Sequence, residues 1–218
     1  MKRTAIFLSI IIISASAFAQ EIPMELSFSG GPSVNWMNSG STSAERGNIE
    51  PGFDFGVNGD FFFNIHNTYA ITTGLLYNHT GGKIDYHSDV IIAGETIPAG
   101  SSIRYRIHSM EIPIALKLRT VPFRRWTYWG QFGVSNFINV NAKASSSDGS
   151  LYKTDINDNF RLFNIALNIG AGANFDLGTE NSVIMGIIYK NGLLDQTKNN
   201  IDGRTTINSI QFKIGLIF

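Results

Sequence analysis

The strongest regularity in this chain is strict alternation. In residues 53–63 (FDFGVNGDFFF), Phe53, Phe55, Val57, Phe61 and Phe63 hold the odd positions, while Asp54, Gly56, Asn58 and Asp60 hold the even ones. In residues 163–176 (FNIALNIGAGANFD), Phe163, Ile165, Leu167, Ile169 and Phe175 share one face, and Asn164, Asn168, Asn174 and Asp176 share the other. The last residues repeat the pattern, with Ile210, Phe212, Ile214, Leu216 and Phe218 opposing Ser209, Gln211 and Lys213. A period of two is that of a β-strand with two chemically different faces. Five further segments, near 24–36, 68–79, 103–118, 125–142 and 182–192, follow the rule with softer edges. The pattern therefore predicts eight strands.

Their connections sort by length. Short turns are expected at 64–67, 119–124 and 178–181. Long polar loops are expected at 37–51, 80–102, 143–158 and 193–204, alternating strictly with the short turns. A transmembrane barrel has short periplasmic turns and longer extracellular loops. The expected fold is thus all-β, an eight-stranded antiparallel up-and-down transmembrane barrel with periplasmic termini and extracellular long loops. Its apolar face meets lipid, and closure pairs the backbone groups that hydrocarbon cannot solvate. The soluble alternative is a lipocalin-like barrel with an apolar lumen. That arrangement needs a charged outer face, which the three sharpest strands lack.

Aromatics gather where interfacial girdles belong. Phe61, Phe63, Tyr69, Trp126, Tyr128, Phe175 and Phe218 lie near the short turns, and Trp36, Phe53, Tyr77, Phe163 and Tyr189 near the long loops. Two such belts suit a membrane protein, although ordinary sheets also favour aromatics.

Composition sharpens this picture. Charged residues make up 16% of the chain, against roughly 25% in a typical soluble domain. The 17 basic and 17 acidic residues cancel, so no large basic field exists to hold nucleic acid. The absence of cysteine excludes disulfides, thiolate metal sites and a lipobox.

The first 19 residues read as an address. Lys2 and Arg3 precede the apolar run Ala5–Ile13, and Ala17-Phe18-Ala19 fits the small-x-small cleavage rule. The run is too short to span a bilayer. Residues 1–19 are therefore read as a signal peptide and 20–218 as the barrel domain, with Gln20 as the expected mature start.

With these residues in place, the chain resembles the PorT-like outer-membrane barrels of Bacteroidota. The resemblance lies in MEIPIALKL at 110–118 and YKNGLLD at 189–195. The ladder Phe212, Ile214, Leu216, Phe218 is similar to the C-terminal signal read by barrel-assembly machinery. The resemblance implies outer-membrane lipid and that machinery as partners. It does not fix an activity, because most such barrels lack a defined one and a few are implicated in secretion-machine assembly.

Candidate chemistry is sparse. His66, His79, His87 and His108 fit no common metal spacing, even with Asp85 and Asp89 near the second long loop. Gly170-x-Gly172 lacks a third glycine and a following helix. No catalytic, metal or cofactor residue is expected. The lumen is the more telling constellation. By parity Asp54, Asp60, Glu111, Lys117, Gln131 and Lys213 point inward, forming a structural plug or an ion path, with Glu111 and Lys117 taken as trial partners. Pro113 removes a ladder donor and is expected to mark a bulge or bend. Asn38–Arg46 and Ala144–Ser150 are expected to be mobile, and Asp89–Ala99 to form an extra hairpin. The expected function is a non-enzymatic outer-membrane protein, structural or an interaction platform for an extracellular or periplasmic protein. A small gated channel and a secretion-system assembly factor are the alternatives.

Overall fold

A computed structural model of the chain describes residues 23–178, 181–198 and 203–218. The signal-peptide reading of residues 1–19 lies outside the described residues, as does Thr179 in the third short turn.

Eight long strands form the molecule: β1 (Met24–Ser39), β2 (Glu50–Phe62), β3 (Tyr69–Tyr86), β4 (Ser102–Arg119), β5 (Trp126–Ser146), β6 (Phe163–Asp176), β7 (Ser182–Gly192) and β8 (Thr205–Ile217). Each pairs antiparallel with the next in sequence, and β8 pairs back onto β1 from Ser27↔Ile217 to Ser39↔Thr205. The sheet is therefore a closed eight-stranded barrel. One end carries the short turns and the other the long connections.

Through most of the barrel the predicted faces hold. Phe55, Val57, Ile114, Phe132, Ile169, Ile187 and Ile214 are exposed, while Asn58, Thr72, Ser135, Asn168 and Gln211 are buried in the lumen. An apolar exterior around a polar interior is the arrangement hydrocarbon selects.

Three expectations about the long-loop end change. Strands β3, β4 and β5 run 18, 18 and 21 residues, well beyond the roughly 9–11 needed to cross a bilayer. The excess takes up residues assigned to loops. Ala44–Arg46 pairs with Ile84–Tyr86, and Ala144 pairs with Thr154, so part of each polar segment is built into sheet. The predicted hairpin does form, as Val90–Ile92 paired with Glu95–Ile97.

Together these pieces enclose a second interior of opposite chemistry. Met37, Ile84, Tyr86, Ile97, Ile103, Tyr105, Ile107, Ala144, Leu151, Ile156 and Phe160 make one buried apolar cluster. The Tyr86 and Tyr105 hydroxyls meet at 2.8 Å inside it, so burial of these rings strands no polar group. We call this end the head.

Pro113 also behaves differently from expectation. It faces the lumen and stays in register with Ser135 on β5. On its other side the β3 ladder lapses between Thr73↔Ile114 and Leu76↔Glu111, with no register shift. A missing N–H breaks hydrogen bonds but adds no residue, so it produces a gap rather than a bulge. The bulge lies higher on β5. Ser109 faces Asn139 and His108 faces Asn141, which leaves Val140 unpaired. The extra residue reverses the parity of β5, and Ala142 and Ala144 thereby enter the head core.

Candidate functional site

The lumen gathers every inward charge that parity singled out, in a layered arrangement. Asp54, Asp60, Glu111, Lys117, Gln131 and Lys213 are all buried there. Near the short turns, Lys117 Nζ donates to Asp60 Oδ2 at 2.6 Å, and Thr72 Oγ1 donates to Asp60 Oδ1 at 2.5 Å. At mid-height Gln211 Nε2 donates to Asp54 Oδ2. At about the same level, since Asp54 is in register with Asn78, Glu111 Oε2 accepts from Lys190 Nζ at 2.5 Å and from Asn78 Nδ2 at 2.8 Å.

The trial partnership of Glu111 with Lys117 is thus corrected. Lys117 belongs to Asp60, and the partner of Glu111 is Lys190. The two pairs sit at different heights because Lys117 is six residues further along β4 than Glu111. That distance is about 20 Å of strand, beyond the reach of a lysine. Lys190 was missed for a physical reason. Its strand reads SVIMGIIYKN, and both faces carry apolar residues, so no polar face marks the lumen side.

Three acids and three lysines balance inside the barrel, but not all are paired. Among the described residues, Lys213 Nζ has no carboxylate at ion-pair distance. Amides and hydroxyls fill the remaining space, as in Asn168 Nδ2 to Ser135 Oγ at 2.9 Å and Asn58 Nδ2 to Ser29 Oγ at 3.0 Å.

Both ends of this column are stopped. Toward the short turns Trp129 packs with Ile184, Ile188 and Ile217. Its ring fits because residues 172 and 186 are glycines. A Cβ at Gly186 would lie 2.4 Å from the indole, and one at Gly172 would lie 2.5 Å from it. Below it Arg119 Nη1 donates to both oxygens of Glu25 at 2.8 Å, and its guanidinium lies over the Phe62 ring. At the other end the head core caps the lumen. Between the stoppers, the cavity beside Lys190 and Asn164 leaves about 40 Å³ for water and the one beside Gln131 and Lys213 about 20 Å³. Each space is large enough for one to a few waters.

The rim histidines do not converge on one site. His79 and His108 stack at 4.6 Å on the outer wall, whereas His87 lies 3.6 Å from Glu45. Asp85 accepts a hydrogen bond from Ser102. No three His, Asp or Glu side chains among the described residues are placed to hold a metal ion. The C-terminal ladder Phe212, Ile214, Leu216 and Phe218 faces outward and is exposed along its length. Phe218 N–H bonds the Leu26 carbonyl at 2.8 Å, so the residue after β8 is also fixed to the first strand.

A closed barrel of eight antiparallel strands, apolar outside and polar within, defines an outer-membrane β-barrel protein. Residues 18–214 match the family model described as outer membrane protein beta-barrel domain, and the chain belongs to that family. Its location is accordingly the bacterial outer membrane.

Solved barrels of similar fold include Neisserial surface protein A, at 9% identity and TM-score 0.50, covering 89% of this chain and 95% of that one. Ail of Yersinia pestis, solved with the heparin analogue sucrose octasulfate, is similar at 14% identity and TM-score 0.40, covering 89% and 99%. The N-terminal barrel of Pseudomonas aeruginosa OprF is similar at 13% identity and TM-score 0.40, covering 87% and 97%. No curated protein matches the sequence.

Proposed function

We propose that this protein is a closed, non-enzymatic outer-membrane anchor that holds a rigid head outside the cell as an interaction platform for a protein partner. The observation that carries this reading is the packed lumen. Its acids are held by lysines or an amide, Trp129 packs across the short-turn end, and the head core lies over the other. The head supports the platform role, because its own apolar core gives it a fixed shape instead of a set of loose loops. In this reading the termini and short turns are periplasmic, and the outward ladder ending at Phe218 is what the barrel-assembly machinery engages. The PorT-like assignment belongs to the same reading and is supported by MEIPIALKL and YKNGLLD.

Planar-bilayer recording tests it. The folded protein is expected to show no steady current, and a steady ion-selective conductance overturns the anchor in favour of a small channel. Orientation is read separately on whole cells with a membrane-impermeant maleimide. Thr96→Cys in the head hairpin is expected to label and Val121→Cys in a short turn to stay unlabelled. The reverse result inverts the topology.

A further inference from the structure

Just beyond the aromatic belt at the long-loop end, the outer wall carries a patch of basic side chains, of which the lysines and arginines are the cations. It comprises His79 and Lys83 on β3, Arg104, Arg106 and His108 on β4, and Lys143 on β5. Their neighbours in sequence, Ile103, Tyr105, Ile107, Ala142 and Ala144, are buried in the head, so the cations lie on the opposite, outward face. An open cleft of about 790 Å³ runs among them.

The strand register places like charges side by side. His79 is opposite His108, two rings that burial keeps toward the neutral form, whereas Lys83 is opposite Arg104 and Arg106 is opposite Lys143. Like charges directly opposite on one face destabilise a sheet. Glu50 answers the second row, at 2.9 Å from Arg104 and 3.8 Å from Lys83. The third row has no such answer, since Arg106 and Lys143 form no ion pair among the described residues. Asp155, next to Lys143 across its other edge, is turned to the backbone and side chain of Asn157 instead.

The position of the patch indicates what fills it. Directly below on the same wall lie Tyr77, Ile138 and the bulged Val140, with Val140 60% exposed. The rows begin two residues beyond Tyr77 and end six beyond it, roughly 6–20 Å along a tilted strand, so the patch starts at headgroup depth and extends above it. Tyr77 is fixed there by a 2.5 Å hydrogen bond between its hydroxyl and His108 Nδ1. A soluble anion would use the cations alone. A lipid would use them together with the apolar wall beneath, which is continuous with the patch.

We propose that Arg106 and Lys143, flanked by Lys83, Arg104 and the two histidines, bind the phosphate groups of an outer-leaflet glycolipid whose acyl chains lie along β3–β5. The proposal rests on the reading that the long-loop end faces outward, but the binding itself is measurable on purified protein whatever the orientation in cells.

The test uses the folded full chain in neutral detergent, with bisphosphorylated lipid A as probe. Binding is followed by native mass spectrometry and by the shift in unfolding midpoint. The wild type is expected to bind saturably. Arg106→Glu with Lys143→Glu is expected to weaken binding by about a hundredfold, because two charge-assisted contacts are lost and each is worth about a factor of ten. The milder pair Arg106→Gln with Lys143→Gln serves if the reversal misfolds, and heat-modifiable gel migration reports folding in both. Lys198→Glu with Arg124→Glu makes the same charge change elsewhere and is expected to bind like wild type. Equal binding of lipid A stripped of its phosphates, or equal binding by the patch variants, overturns the proposal. Full competition by inorganic phosphate at comparable concentration also overturns it, by making this a free-anion site. Inverted maleimide labelling with lipid binding intact would overturn only the orientation.

Discussion

Strand β4 follows opposite rules at its two ends. Toward the short turns its inward residues are Ser109, Glu111 and Lys117 and its outward ones are Ile112, Ile114, Leu116 and Leu118. In the head its inward residues are Ile103, Tyr105 and Ile107 and its outward ones are Arg104, Arg106 and His108. No bulge in β4 makes the change. The residues themselves exchange faces. The hydrophobic effect rewards removal from water, not removal to the inside of a protein. Where the surroundings are hydrocarbon, apolar side chains reach that state by facing out. The lumen is then free to hold groups that must be paired with one another. Where water surrounds the strand, the apolar side chains must turn inward. One chain therefore rests on ionic and hydrogen-bonded packing in one half and on an ordinary apolar core in the other.

The largest expected effect attacks the membrane half. Glu111→Ala leaves Lys190 buried and uncompensated, and is expected to cost about 3–5 kcal/mol of unfolding free energy in a denaturant titration. Glu111→Gln with Lys190→Gln should recover much of this, whereas Glu111→Gln with Lys117→Gln should not, because the latter also strands Asp60. Equal recovery by both double variants would contradict the assigned pairs.

The head is probed by Ile103→Ala, at an expected cost of about 2–5 kcal/mol for a buried cavity. The loss should be local. Proteolysis within the head should rise while heat-modifiable migration of the barrel is unchanged. Loss of both together would mean that the two halves unfold as one.

A single type of change then compares the outer surfaces. Ile187, facing out from β7, and Ile91, facing out from the head hairpin, are about equally exposed at 51% and 56%. Ile187→Lys is expected to cost about 2–4 kcal/mol against lipid. Ile91→Lys is expected to stay within about 0.5 kcal/mol, because water already bathes that site. Similar costs would place the hairpin in the membrane.

The smallest effect concerns the lumen lysine without an ion-pair partner. Lys213→Met removes a buried charge instead of breaking a pair, and is expected to be neutral or stabilising by about 1 kcal/mol in the same titration. A cost matching that of Glu111→Ala would show Lys213 to be as firmly coupled as Lys190.

The barrel was legible because its strongest signals are local. Parity in 53–63, 163–176 and 209–218 needs no knowledge of tertiary structure, and loop sorting follows from counting. Inward placement of Asp54, Asp60, Glu111, Lys117 and Lys213 could be read for the same reason. Their pairings could not, because Glu111 and Lys190 are 79 residues apart and meet only across the closed lumen. The head was harder to see, although a trace of it is written in β4. In IRYRIHSMEIPIALKL the apolar residues fall at 103, 105 and 107 and then resume at 110, 112 and 114. That slip of one position in an unbroken strand marks where water gives way to lipid. The equivalent point on β5 is masked by the Val140 bulge.

The seam between β1 and β8 has a consequence for how the chain is made. Its register joins the first strand to residues 205–217, and the amide of Phe218 contributes to it. A polypeptide halted before β8 has no smaller barrel to fall back on, since strand number fixes the circumference. It would carry two raw edges into hydrocarbon, where each unsatisfied amide or carbonyl costs several kcal/mol. Partial products are therefore excluded by their own chemistry. The barrel closes whole or not at all, because its last strand is also the partner of its first.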